Sequence, residues 1–199
     1  KSVKIRKQSS ALSGAFTFPG DKSLSHRAII FGALAEGRSH FVNVLPGEDC
    51  VHTREAFEAL GVHIEAHSAT ELTIHGKGLH SLKAPEKEIY LGNSGTSIRL
   101  LLGVLAGQPF EAVLSGDPSL SSRPMRRVTD YLKMMGAEVE GRDQANFAPL
   151  KVLGGKLRSI AADLPIPSAQ GKSAILLAGL YADGITTVTE PVRSRDHTE

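Results

Sequence analysis

Tryptophan is absent from this 199-residue sequence, and aromatic residues make up only 5% of it. Recognition of single-stranded nucleic acid leans on aromatic stacking, so the composition argues against that class of function. There is one cysteine, Cys50. An intrachain disulfide is therefore excluded, and a reducing, cytoplasmic setting is expected. No stretch approaches 18 uninterrupted apolar residues, so no membrane-spanning helix is expected. Charge of one sign is scarce too: 23 Lys and Arg against 21 Asp and Glu leave a net +2, which offers no general field for a polyanion. The eight histidines show no paired metal-ligand spacing with cysteine or carboxylate, so no metal site is expected. The basic start, Lys1 to Lys7, lacks the apolar stretch of a secretory signal. Its alternating Val3 and Ile5 predict a short strand instead.

What is present is a repeat. A short polar turn feeds an apolar helical run three times: Pro19-Gly20-Asp21-Lys22-Ser23 into residues 26–31, Gly92-Asn93-Ser94-Gly95-Thr96 into 98–102, and Pro165 to Gln170 into 172–177. Each helix is expected to end at a glycine (Gly37, Gly107, Gly184), at separations of 70 and 77 residues, with a strand after it. In the first copy the pattern predicts a helix over 24–36, a strand over 39–44, a helix from Cys50 to Leu60 capped by Asp49 and Gly61, and strands at 62–65 and 71–75. The second copy repeats that order, with strands at 111–114, 137–140 and 150–153. Pro124 suits the first position of its second helix, which ends at Gly136. The third copy gives its turn, its helix and a strand at 186–189. Ser194 to Glu199 then reads as the start of a further helix. From Gly37 to Gly78 the first copy spends 41 residues completing itself, whereas only 15 follow Gly184. On that reading the sequence is a fragment, or one half of a two-chain protein.

The turns carry the chemistry. Lys22 lies where free backbone N–H groups and the helix dipole favour an anion. Ser23 and Arg27, four apart, share a helix face. Hydroxyl, ammonium and guanidinium together suit a phosphate or carboxylate; a capped, solvated first turn is the plainer alternative. Asn93 to Thr96 offers an amide, two hydroxyls and a glycine that admits a ligand to the backbone, although it also serves as an ordinary helix entry. Arg123 is held extended by Pro124, which restricts its aim. Ser168 to Ser173 invites comparison with a nucleotide-binding P-loop, but Ile166 stands where that pattern needs glycine, and two prolines spoil the preceding strand; ATP binding is disfavoured. Cys50 reads as a small buried apolar group.

Together, Pro19 to Arg27, Leu91 to Arg99, Gly116 to Met125 and Pro167 to Gln170 resemble, in order and over nearly the whole sequence, the 5-enolpyruvylshikimate-3-phosphate synthase family. The resemblance implies an α/β fold of repeated βαβαββ-type units. It places residues 1–17 as an N-terminal strand region pairing with a second domain. Residues 18–199 would form most of the first domain, with repeats at about 18–87, 88–158 and 159–199. It implies transfer of the enolpyruvyl group from phosphoenolpyruvate to the 5-hydroxyl of shikimate 3-phosphate, with phosphate released and no metal or organic cofactor. By motif, Lys22 would contact both substrates and assist proton transfer. Ser23, Arg27, Ser168, Ala169, Gln170 and Ser194 would hold shikimate 3-phosphate. Asn93, Gly95 and Arg123 would hold phosphoenolpyruvate, with Gln170 between the two and Thr96 supporting the loop. His197 falls where an aromatic residue packs on the shikimate ring in some relatives. Gly95 is the position that decides whether the inhibitor glyphosate fits, and glycine there implies sensitivity. A complementary C-terminal chain is implied as the partner that supplies the general base.

Two other readings remain. UDP-N-acetylglucosamine enolpyruvyl transferases share the repeated fold, but carry Lys-Asn where this sequence has Lys22-Ser23, and a reactive loop cysteine where it has Ser121-Ser122-Arg123. A free-standing, non-catalytic anion-binding module would leave an unsatisfied sheet edge at the unfinished third copy.

Overall fold

A computed structural model describes residues 2–4, 6–7, 11 and 13–199. The first copy is α1 (Lys22–Leu34), β1 (Glu36–Phe41), α2 (Glu48–Ala59), β2 (His63–Ser68) and β3 (Glu71–Lys77). After β4 (Ile89–Tyr90), the second runs α3 (Gly95–Ala106), β5 (Glu111–Ser115), α4 (Arg126–Met135), β6 (Glu138–Gly141), the one-turn α5 (Arg142–Ala145) and β7 (Phe147–Leu153). The remainder is β8 (Leu157–Arg158), β9 (Ala161–Asp163), α6 (Ala169–Gly179), β10 (Ala182–Asp183) and β11 (Thr187–Thr189).

The sheets repeat as the sequence does. The order β1-β3-β2 in the first copy, all antiparallel, matches β5-β7-β6 in the second. A parallel strand precedes the leading helix in two copies: β4 pairs with β5 across α3, and β9 with β11 across α6. Parallel neighbours need such a crossover helix. The mixture of helices with parallel and antiparallel strands is the α/β architecture that the family resemblance implies.

Burial explains the layering. Ile98, Leu100, Leu101, Leu102 and Val104 of α3 are all fully buried, and Leu105 is 1% exposed. A helix apolar on every side belongs at the centre of a core rather than on its surface. The packing of α6 on α3 is close: a Cβ on Gly103 would lie 2.2 Å from the Ala174 carbonyl oxygen, so only glycine fits there. Strands take the outside, with β3 alternating Leu72 and Ile74 inward against Glu71 and His75 outward.

Several boundaries differ from the sequence expectation. Helix α1 stops at Leu34 rather than near Gly37, because β3 crosses its end. A Cβ on Gly76 would lie 2.2 Å from the Ala35 oxygen, and Gly37 already belongs to β1. Helix α6 spans 169–179, so Ala169 and Gln170 form its first turn, and it ends well before Gly184 because residues 182–183 pair with β8. Pro124 is not the first residue of α4. The Met125 N–H is taken by the Asn146 carbonyl at 2.8 Å, and the helix begins at Arg126. The N-cap of α2 is Gly47, without a side-chain bond, while Asp49 lies inside the helix. No helix forms over 190–199. Val3 and Lys4 form no strand, and Ile5 lies outside the described residues. Gly136, by contrast, ends α4 as expected, in the left-handed conformation (φ 109°) that glycine adopts without strain.

Candidate active site

Three helices begin in the same way. Asp21 accepts the Leu24 N–H at 2.9 Å, Ser94 accepts the Ser97 N–H at 3.2 Å, and Ser168 accepts the Gly171 N–H at 3.1 Å. Each cap satisfies one of the donors a helix leaves free at its N-terminus, while the others remain at the positive end of the dipole. The Leu24 N–H draws the Asp21 carboxyl below its usual pKa, with lesser help from His197 and Arg195.

A buried polar chain ties these beginnings together. His26, fully buried, meets the Thr53 hydroxyl at 2.8 Å; Thr53 meets Ser97 at 2.6 Å, and Ser97 meets Ser94 at 2.6 Å. The Asp49 carbonyl oxygen lies within hydrogen-bonding distance of both the Thr53 and Ser97 hydroxyls, at 3.2 and 3.3 Å. Burial lowers the His26 pKa to about 4, so the ring is neutral at pH 7. The α1, α2 and α3 starts are thereby fixed relative to one another by side chains that never reach the surface. None of these links was legible in the sequence, because each joins residues of separate elements.

The α3 corner collects cations. Arg99, one turn into the helix, donates to the Gly95 carbonyl at 3.1 Å, to Gln170 Oε1 at 2.7 Å and to the Pro124 carbonyl at 3.1 Å. Arg123 donates to Asn93 Oδ1, and Asn93 donates to Asp117 at 3.0 Å. A Cβ on Gly95 would lie 2.9 Å from Arg99 Nη1 and 3.0 Å from Arg123 Nη1, so both guanidinium groups crowd the same glycine. Burial, and then repulsion from Arg123 and Arg127, lowers the Arg99 pKa. Gln170 Nε2 donates to Thr96 Oγ1 at 2.9 Å, which brings the start of α6 to the same corner. Five of the expected residues (Asn93, Gly95, Thr96, Arg123 and Gln170) therefore converge. Arg99 joins them as a residue whose role the sequence did not reveal, although it sits one helical turn beyond Gly95.

The α1 corner holds Lys22, the first residue of its helix, in an ion pair with Asp49 at 3.0 Å, with 54% of the lysine side chain exposed. Ser23 takes part through its carbonyl, which accepts from Arg27 at 3.1 Å. Arg27 is 7% exposed and donates to Ser173 Oγ at 2.7 Å and Thr198 Oγ1 at 2.8 Å, bridging α1 to α6 and to residue 198. Among the described residues Lys22 shares no hydrogen-bonded partner with Arg99 or Arg123.

The α6 corner closes on itself. Glu190 accepts from the Ser168 N–H at 3.1 Å and from the Ser194 hydroxyl at 2.8 Å, and pairs with Lys172 at 3.0 Å. Lys172 also meets Glu199 at 2.5 Å. Burial pushes the Glu190 carboxyl up, but the hydrogen bonds from Ser194, Lys172 and Ser168 outweigh it and hold the pKa at about 2. Ala169 contributes its carbonyl to the Ser173 hydroxyl at 2.7 Å. His197 is half-buried near Asp21. Cys50 is 2% exposed; burial raises its thiol to about 11, so it is inert as a nucleophile.

Positive helix starts, convergent guanidinium groups and hydroxyls on one scaffold can bind multiply charged anions and stabilise charge that develops between them. Among the described residues no helix is long and apolar enough to cross a membrane. Known proteins share both the sequence and the fold. The 3-phosphoshikimate 1-carboxyvinyltransferase of Bacillus subtilis (strain 168) is 55% identical over 188 residues, 94% of this chain and 44% of that protein. That of Geobacillus thermodenitrificans (strain NG80-2) is 54% identical over 190 residues, 96% of this chain and 44% of its own length. The solved structure of EPSP synthase from Acinetobacter baumannii superposes with a TM-score of 0.90 at 53% identity, covering 93% of this chain and 42% of that one. This chain thus spans less than half the length of the relatives it matches. The sequence profile of EPSP synthase (3-phosphoshikimate 1-carboxyvinyltransferase) matches residues 6–199, and the chain belongs to that family.

Proposed function

We propose that this chain supplies the shikimate 3-phosphate side and part of the phosphoenolpyruvate side of an enolpyruvyl transfer, completed by a C-terminal part of the same enzyme in the cytoplasm. The observation that carries the reading is the pair of guanidinium groups, Arg99 and Arg123, within about one van der Waals contact of Gly95 at the start of α3. A phosphate or carboxylate seated there meets two cations, the Asn93 amide and the end of a helix dipole.

In the proposed reaction the 5-hydroxyl of shikimate 3-phosphate gives its proton to the general base supplied by the C-terminal part. As it does so, its oxygen bonds to C2 of phosphoenolpyruvate, while C3 takes a proton from a general acid. Phosphate then leaves C2 as C3 gives a proton back, restoring the enol double bond. Lys22 suits a role between the substrates: it is exposed, cationic, and already paired with a carboxylate that a substrate anion can displace. Ser23, Arg27, Ser168, Ala169 and Ser194 would hold shikimate 3-phosphate. Asn93, Gly95 and Arg123 would hold phosphoenolpyruvate, with Gln170 between them, Thr96 supporting Gln170 and His197 packing on the ring. Glyphosate would compete at the Gly95 corner. The repeats are proposed at about 18–87, 88–158 and 159–199, with residues 1–17 pairing with the second domain.

The test is shikimate 3-phosphate-dependent release of phosphate from phosphoenolpyruvate. The 199-residue chain alone is expected to be inactive, and the chain joined by its C-terminal companion active. Robust turnover by the isolated chain would overturn the two-part reading, and none by the completed enzyme would overturn the activity.

A further inference from the structure

Away from the helix starts, titratable side chains concentrate on the outward face of the β1-β3-β2 sheet. Strand β3 turns Glu71, Thr73 and His75 outward, and register sets His40 beside Thr73, His63 beside His75 and Glu65 beside Thr73. Four histidines (His40, His63, His67 and His75) and two glutamates (Glu65 and Glu71) therefore share a region of one small sheet. They form two groups. His40 and His67 bond the Thr73 hydroxyl at 3.1 and 2.8 Å, with Glu71 at 3.2 Å from His40. His63 and His75 instead converge on a single carboxylate oxygen.

That second group has the geometry of a ligand set. His75 Nε2 lies 2.7 Å and His63 Nε2 3.3 Å from Glu65 Oε1, and the two rings stand 4.9 Å apart at 33°. One ligand atom from each of the three lies within 4.8 Å of the others. Zinc bound tetrahedrally, with ligands at about 2.0–2.2 Å, needs donor atoms spaced by about 3.3 Å. The His63–Glu65 pair already has that spacing. The His75–Glu65 contact must open by about 0.6 Å, exchanging a hydrogen bond for metal bonds, and the ligand nitrogens of His63 and His75, within 4.8 Å of each other, must settle to the same spacing. The backbone fixes the arrangement: His63 and Glu65 are two apart on one strand and so share a face, and His75 is the direct cross-strand partner of His63. With side chains 67%, 43% and 34% exposed, the three are open to an ion from solvent. Two imidazoles and one carboxylate suit zinc and its neighbours in the first transition row rather than calcium or magnesium.

We propose that His63, Glu65 and His75 form a surface binding site for a divalent zinc-class cation, with the fourth position left to water, and that the bound ion pins β2 to β3. The site is independent of the anion corners, since none of its three residues contributes to them.

The test is titration of zinc into the complete, chelator-treated protein, followed by heat and by thermal melting. One equivalent is expected to bind saturably. His63→Ala and His75→Ala should each weaken it by more than about 100-fold, beyond the range set by loss of an outer-shell partner. Zinc should raise the melting temperature of the parent but not of these variants. His67→Ala, which alters only the neighbouring group, should leave affinity within about threefold. Glu65→Gln, which keeps shape and polarity, separates loss of a ligand from loss of fold: it should bind at least about tenfold more weakly with an unchanged circular dichroism spectrum. Zinc binding of native strength in the His63→Ala and His75→Ala proteins, or no saturable binding by the parent, would overturn the proposal and leave the cluster a hydrogen-bonded surface.

Discussion

The α3 and α6 helix starts are built from the same parts, yet stand in opposite electrostatic states. Each has a serine cap and a cation one turn in, Arg99 beyond Gly95 and Lys172 beyond Ser168. At α6 the cation is spent: Lys172, 7% exposed, is held between Glu190 and Glu199. At α3 the guanidinium groups of Arg99 and Arg123 bond neutral oxygens (Gly95, Pro124, Gln170 and Asn93), and the carboxylate of Asp117 is engaged by the Asn93 amide and the Leu120 N–H. A helix N-terminus alone therefore does not make an anion site. The α6 corner offers donors on a locked frame, whereas the α3 corner offers uncompensated charge.

The largest expected effect separates frame from charge. Lys172→Met leaves Glu190 buried without its cation, and breaking a buried pair costs about 3–5 kcal/mol. Urea unfolding should show that loss, along with greater accessibility of residues 190–199 to protease. A stability change under 1 kcal/mol would mean that the α6 corner is not locked by this pair.

Next is Arg123→Ala. With a cation removed from the α3 corner, turnover of the completed enzyme should fall by about 10²–10³-fold, the range for loss of a preorganised charge-stabilising donor, while the unfolding free energy stays close to that of the parent. Steady-state kinetics beside urea melts would show it; an equal fall in stability would make Arg123 part of the frame.

The third concerns pH. His26 has a folded-state pKa of about 4 against an ordinary 6.5, so the unfolded chain binds the extra proton between those values and stability falls as pH drops from 6.5 to 4. The full shift corresponds to roughly 3 kcal/mol. Glu190, held at about 2, contributes stability above pH 4.5 that is lost as pH falls toward 2. Unfolding curves at pH 7, 5 and 4 should show the first loss, and His26→Gln should remove most of it. A parent protein equally stable at pH 7 and pH 4 would contradict the buried neutral ring.

Smallest is Gly95→Ala. The added Cβ meets only the ends of two flexible side chains, at 2.9 and 3.0 Å. A cost of about 1 kcal/mol is expected, at the low end for overpacking. It should appear as a several-fold higher KM for phosphoenolpyruvate and weaker inhibition by glyphosate. Unchanged constants for both would place their binding away from this glycine.

What the sequence made legible was local. Polar turns followed by apolar runs located α1, α3 and α6, and alternation located β3 and β7, because helix and strand periods leave their mark on neighbouring residues. The order of motifs was specific enough to identify the family. Ends were less legible where a distant strand cut a helix short, as β3 does at Leu34 and β8 does after Gly179. Ser194 to Glu199 carries a helix-start composition, but Ser194 is bound to Glu190 and Thr198 to Arg27, and these ties compete with a helical turn. The state of each corner was hidden for a related reason. That Lys172 is neutralised and Arg123 is not depends on residues 18 or more positions away. The His63, Glu65 and His75 grouping likewise needs the β2–β3 register, although the x-spaced His63 and Glu65 were a local signal of a shared face.

Free positive charge resides at the α3 corner and bound charge at the α6 corner. The kcat/KM for phosphoenolpyruvate of the completed enzyme, saturated with shikimate 3-phosphate, tests this most directly when Arg123→Ala and Lys172→Met are compared with the parent under conditions where circular dichroism shows all three folded. The expected result is a kcat/KM for phosphoenolpyruvate reduced by about 100-fold or more in Arg123→Ala, and within about threefold of the parent in Lys172→Met. A native kcat/KM in Arg123→Ala, or equal losses in both variants, would contradict that difference between the corners.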